Sequence, residues 1–137
     1  MTRDAQSFAE GCAEGDVLVL RDALSLWGGI DVQTGRVIDR SHPDVGACVA
    51  GTILVMPGGR GSSSSSSVLA ESLRCGTGPV GIVLAVRDPI LTVGALVAAR
   101  LYGLRCPIVV ADHTGMATGQ RMRIEAPPTG PAQLTWL

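Results

Sequence analysis

Between residues 51 and 111, three apolar runs of strand length (51–56, 80–86 and 107–111) alternate with two stretches of helical period. That alternation narrows the fold more than any other feature. A run that is apolar on every residue has no side to show to water, so each strand must be covered on both faces. Such strands belong to a parallel sheet joined by right-handed helical crossovers. The second helix is the better marked: Asp88 is an N-cap, Pro89 takes the first helical position, and Gly103 closes the helix after Tyr102. Its period predicts that Ile90, Val93, Val97 and Leu101 share the buried face. The first helix is predicted over about residues 66–74, with Leu69 and Leu73 on one face and Gly76 as its stop.

The flanks are less periodic. Residues 9–15 read as a turn, 16–21 as a short strand, and 36–39 as another, ended by Ser41-His42-Pro43 because a residue before proline is pushed to extended geometry. Residues 120–126 alternate like an edge strand, and Pro127-Pro128 and Gly130-Pro131 break the chain before residues 134–137. The fold class is α/β with β-rich ends, a mixed sheet with flanking helices. At 137 residues and 46% apolar content, positions 1–137 form a single domain able to bury one core.

The first strand does not pass directly into its helix. Met56 is followed by Pro-Gly-Gly-Arg-Gly and then six serines, 62–67. A serine run is ordinarily a flexible linker. Here it interrupts a strand–helix unit in a chain too short for two ordinary domains, which argues for a ligand loop instead. Glycines at 58, 59 and 61 permit a close backbone approach. A helix starting in the serines turns unpaired N–H groups and a positive dipole end toward whatever lies above, and Arg60 adds a forked cation. The guest is therefore a carboxylate or phosphate. Gly59-x-Gly61-Ser62 fits neither the nucleophile elbow nor the lysine-bearing P-loop. A serine at such a helix mouth can act as a base, because the positive field lowers the cost of its alkoxide.

Composition removes several classes of function. All eleven basic residues are arginine, which excludes a Schiff-base or catalytic lysine, and a net charge of −1 leaves no footprint for nucleic acid or an anionic membrane surface. No apolar run is long enough to span a membrane and no leader pattern opens the chain, so a cytoplasmic location is expected. Cys12, Cys48, Cys75 and Cys106 are scattered without a C-x-x-C pair, so they are expected mostly as small buried residues and this chain is assigned no metal site. Trp27, beside two glycines, either plugs the edge of the core or walls a pocket, packing being the plainer role. His42 and His113 receive no role, and adjacent Asp112 and His113 are poorly placed to orient one another toward a distant serine as a hydrolase triad.

The run from Pro57 through the serines to Val-Leu-Ala-Glu, preceded by Leu26-Trp-Gly-Gly-Ile-Asp-x-x-Thr-Gly and His42-Pro43, closely resembles the small subunit of aconitase X enzymes. The similarity continues through Arg74-x-Gly, Gly78-Pro, Asp88-x-Ile-Leu and Pro107-Ile-Val-Val, covering nearly the whole chain. This resemblance implies a swivelling β/β/α domain of the aconitase superfamily, closing over a large partner subunit that holds an iron–sulfur cluster or iron. It implies a hydro-lyase acting on a small hydroxy acid. Ser62 is then the base, with Arg60, Gly61, Ser63 and Ser64 on the substrate carboxylate. Arg60 and the unbroken serine run look like the bacterial cis-3-hydroxy-L-proline dehydratase branch, and the archaeal mevalonate 5-phosphate dehydratase small subunit is the alternative. A non-catalytic anion-binding regulatory module is a further alternative from another class.

Overall fold

The computed structural model describes all residues, Met1–Leu137. In chain order the elements are β1 (Thr2–Ala9), β2 (Gly11–Val19), β3 (Ile53–Met56), α1 (Ser65–Arg74), β4 (Gly81–Leu84), α2 (Pro89–Tyr102), β5 (Ile108–Val110), β6 (Arg121–Ala126) and β7 (Gly130–Trp136). The seven strands close into a mixed barrel in the order β1-β5-β4-β3-β2-β6-β7. Neighbours β2, β3, β4 and β5 are parallel, and the remaining pairs are antiparallel.

The apolar runs are explained by two cores that share these strands. Ile53 and Val55 of β3, Val83 of β4 and Val109 of β5 point into the barrel. Leu54, Met56, Ile82, Leu84 and Ile108, their alternates, face the second core with Leu69 of α1 and Leu91 of α2. Successive right-handed crossovers between adjacent parallel strands place both helices on the same side, where they pack against each other. Residues 20–50 wrap this outer core and contribute Leu20, Leu24, Leu26, Ile30, Val37 and Val49 to it.

Several expectations are corrected. Residues 9–15 are not a turn: β1 and β2 run to either side of Glu10, and β1 carries so many polar residues that no apolar alternation marks it. Its stability comes from pairing on both sides, with β7 and β5. Residues 36–39 form only isolated bridges, Val37 to Ile30 and Arg36 to Cys48. β6 is not an edge, since it pairs with β2 and β7, and Pro131 lies within β7 opposite Gln6 instead of breaking the chain. Of the cysteines only Cys106 is buried, its thiol pushed up to about 12 by burial, while Cys12 and Cys75 are exposed.

The face of α2 is also displaced by one position. Leu91, Gly94, Ala95 and Ala98 are buried, whereas Val93, Val97 and Leu101 are exposed and Ile90 is only partly covered. Close approach of the helices is the reason: a Cβ at Gly94 would lie 2.6 Å from the Ser66 carbonyl oxygen. Small residues therefore take the contact, and the larger ones, which carry the stronger periodic signal, are turned outward.

His42 pins the wrapping segment. The Asp44 amide donates to its Nδ1 (3.0 Å), which places the ring proton on Nε2, donating to the Asp22 carbonyl (3.1 Å). Beside it, the Asp44 carboxylate accepts from the amide (2.7 Å) and guanidinium (2.9 Å) of Arg21. Burial raises the Asp44 carboxyl, but these bonds outweigh it and hold the group below its ordinary value of 3.8. A carboxyl lowered in the folded state stabilises the protein fully above the unfolded value, and that contribution is lost as pH falls through the folded one. Asp44→Asn should therefore lower the denaturant midpoint at pH 7 and converge on wild type only as pH falls well below the ordinary carboxyl value of 3.8.

Candidate functional site

The parallel strands deliver their carboxyl ends, Val19, Met56, Leu84 and Val110, to one rim of the barrel. Ligands of parallel sheets gather at this edge. The segment from Pro57 to Ser64 leaves β3 there and leads into α1. Gly61 turns the chain with a φ of +75°, a conformation that a side chain at this point would strain.

Past that turn, the serines build the start of α1 from their own backbone. The Ser65 amide donates to the Ser62 carbonyl (3.1 Å), and the Ser63 carbonyl accepts both the amide (3.4 Å) and the hydroxyl (2.9 Å) of Ser66. Ser64 is the N-cap residue, yet its side chain caps nothing. The Ser66 hydroxyl steadies the Ser63 carbonyl, and Ser67 is exposed. The Ser62 hydroxyl oxygen accepts the Ser64 amide at 3.2 Å. An N–H aimed at this oxygen favours the form carrying more negative charge. The amides of Gly61 and Ser63 have no acceptor within the protein.

Arg60, Gly61, Ser63 and Ser64 are exposed around the half-buried Ser62, so all five predicted site residues lie together on the rim. The Arg60 side chain is not paired in any salt bridge. Its charge does reach Asp39, whose carboxyl is held below the ordinary range chiefly by the hydroxyl and amide of Ser41, with His42 and Arg60 adding smaller contributions. Trp27 is not a core plug: it is 60% exposed, and its backbone N–H donates to the buried Ser65 hydroxyl at 3.2 Å. The Trp27 backbone is thus tied to the first turn of α1. Sequence reasoning gave Ser65 and Asp39 no individual role, and saw in Asp88 only a helix cap.

Beneath the loop is a hollow of about 10 Å³ lined by Leu24, Arg60, Ser62, Ser65, Asp88 and Leu91. That is room for about one water molecule. The hollow itself is therefore too small for a hydroxy acid, and the loop's open side is the rim above it. A larger hollow of about 380 Å³, lined by Gly51, Gly78, Val80 and Arg105 among others, opens at the amino ends of β3 and β4, away from the serines. The Asp112 carboxylate is taken by the amide (3.0 Å) and hydroxyl (2.8 Å) of its own neighbour Thr114, and His113 has a buried Nε2 with no partner, so no Asp–His dyad forms. No three His, Cys, Asp or Glu side chains are grouped to hold a metal ion, so an iron centre does not fit the residues of this chain.

The fold is thus a mixed barrel with two helices on one side and a serine loop on its rim. The sequence pattern of the aconitase X swivel domain matches residues 2–129, and the chain belongs to that family. It is 30% identical to aconitase X of Thermococcus kodakaraensis, whose crystal structure in the holo form superposes with a TM-score of 0.83 over 97% of this chain and 98% of that one. Among curated relatives, cis-3-hydroxy-L-proline dehydratase of Pseudomonas aeruginosa is 44% identical over 75% of this chain, and that of Hypocrea jecorina 42% over 79%. The chain spans only 18% of the length of either. The phosphomevalonate dehydratase small subunit of Pyrococcus abyssi is 33% identical, with 98% of both chains covered.

Proposed function

We propose that this chain is the swivel subunit of a hydro-lyase, active with a large aconitase-X-type partner in the cytoplasm, and that its substrate is cis-3-hydroxy-L-proline. The observation carrying this reading is the Ser62 hydroxyl oxygen, fixed at the mouth of α1 by the Ser64 amide with the Arg60 cation nearby. Four free cysteines accord with a reducing compartment. The substrate carboxylate sits against the amides of Gly61 and Ser63 and the hydroxyls of Ser63 and Ser64, with Arg60 alongside. Ser62, as alkoxide, takes the proton from the carbon next to that carboxylate. The electron pair of the broken C–H bond forms a C=C bond as the neighbouring C–O bond breaks, and the hydroxyl takes up a proton and leaves as water. The resulting enamine tautomerises to Δ1-pyrroline-2-carboxylate. An iron–sulfur cluster or iron in the partner would supply Lewis-acid assistance to the leaving hydroxyl. This chain's own part is to hold the carboxylate, place the base, and exclude water on closure.

The second reading is the phosphomevalonate dehydratase small subunit, favoured by the near-complete match in length to such subunits. It uses the same chemistry, loss of a proton beside a carboxylate and of a hydroxyl one carbon further. Co-expression with a large aconitase-X-type chain, followed by assay on both substrates, separates the two; turnover of neither by an assembled pair would sink the hydro-lyase reading. In the active pair, Ser66→Ala should cost about fivefold in kcat or less, the equivalent of one hydrogen bond of about 1 kcal/mol.

A further inference from the structure

Asp88 faces two ways. Its Oδ1 accepts the amides of Ile90 (3.0 Å) and Leu91 (3.1 Å), closing the first turn of α2. Its Oδ2 accepts the amide of Gly59 (3.0 Å) in the serine loop. The contact is close enough to require glycine, since a Cβ at position 59 would lie 2.1 Å from that oxygen. Two further links converge on the same few residues: the Ala85 amide donates to the Pro57 carbonyl (3.2 Å), and Gly59 pairs in a parallel bridge with Leu24. Beyond Gly59 the stitching stops. Arg60 and Gly61 are exposed, and the next link is the Ser62 amide donating back to the Arg60 carbonyl at 3.1 Å. The place and tilt of Arg60-Gly61-Ser62 are thus set from one side by α1 and from the other by the anchor at Gly59.

A cap alone does not explain a carboxylate at this position. Serine or asparagine would close α2 as well, but neither offers a second acceptor oxygen to Gly59 while doing so. Resting on the assignment of Ser62 as the base, we propose that Asp88 is a positioning residue, whose second carboxylate oxygen holds the serine loop in register with the substrate. Asp88 touches no reacting atom. It acts through Gly59, across the connection from one crossover unit to the next.

The test uses the co-expressed pair and whichever of the two substrates it turns over. Asp88→Asn keeps an oxygen for the α2 cap and replaces the other acceptor by an amide donor; Asp88→Ser keeps a cap and cannot reach Gly59. Gly59→Ala attacks the same contact from the opposite side. All three should assemble with the partner, the two Asp88 variants melting close to wild type and Gly59→Ala below it, with kcat lowered about 10- to 100-fold and KM changed by less than about threefold, since a displacement of the order of 1 Å costs that much. Substrate deuterated on the carbon beside the carboxylate should give a larger isotope effect in the variants, because a misplaced base makes proton abstraction more rate-limiting. A purely structural role would leave that isotope effect unmoved. Assembled Asp88→Asn or Asp88→Ser with wild-type kcat and isotope effect overturns the proposal, and Gly59→Ala carries the same decision if both fail to fold. Ser62→Ala is run alongside: if it stays active, the base assignment and Asp88's role fail together; if it is inactive and the Asp88 variants are normal, only the positioning role fails.

Discussion

Ser62→Ala should lower kcat of the assembled enzyme by about 10²- to 10⁴-fold, the contribution of a positioned general base, while subunit assembly and the melting temperature stay near wild type. The two halves of that result have separate causes. The hydroxyl makes one hydrogen bond within the protein, from the Ser64 amide, and the loop around it is open to water. Removing it leaves an amide that solvent can satisfy, so stability changes by a few tenths of a kcal/mol, as for most exposed polar substitutions. Catalysis has no such substitute. Ser63 and Ser64 are exposed and neither hydroxyl accepts a backbone amide, so no neighbouring oxygen is held toward its negative form in the same way. Initial rates on the co-expressed pair, with assembly followed by size-exclusion chromatography, check both halves. A variant dehydrating at near wild-type rate would remove Ser62 from the chemistry and leave the loop as an anion cradle only.

How much of this was legible depends on where each signal resides. The crossover unit is local: its strands are apolar because two cores flank them, its helix signals are short-range, and Asp88-Pro89 and Gly103 mark α2 at both ends as expected. The five proposed site residues, 60–64, are consecutive in sequence, so one local stretch carries the whole proposal. What failed was non-local. β1 is a polar strand whose existence depends on β5 and β7, about a hundred residues or more away in sequence, and β6 loses its edge only because β7 returns to β1 and closes the barrel. Period alone gave α2 the wrong face, because it ranks bulk, whereas the packing against α1 selects Gly94 and Ala95 for their smallness. Trp27 failed for a related reason. An aromatic is ordinarily placed inside by its area, but here only its backbone is needed inside, to bond Ser65.

The same dependence of the site on packing gives the second large effect, Leu69→Ala. Helix α1 has ten residues and opens on serines with no side-chain cap. In isolation a helix of that length is marginal, so its order comes from the face it buries. Leu69, fully buried in the outer core, is the main apolar anchor of that face and abuts the α2 surface at Gly94. Truncating it should cost about 2–5 kcal/mol, a large part of the 5–15 kcal/mol that holds a typical domain together. Leu134→Ala in the barrel interior, equally buried, should cost a similar amount by the same mechanism. The two should part company in turnover. Leu134 lies in β7, in the other core, so the folded fraction of its variant should keep wild-type kcat, whereas Leu69→Ala loosens the helix whose first turn positions Ser62 and should lower kcat about tenfold or more. Denaturant midpoints matched by rates per folded molecule make the comparison. Equal kcat in the two variants would mean that the serine loop holds its geometry without α1, and that the dipole and amides of that helix do not sustain the base.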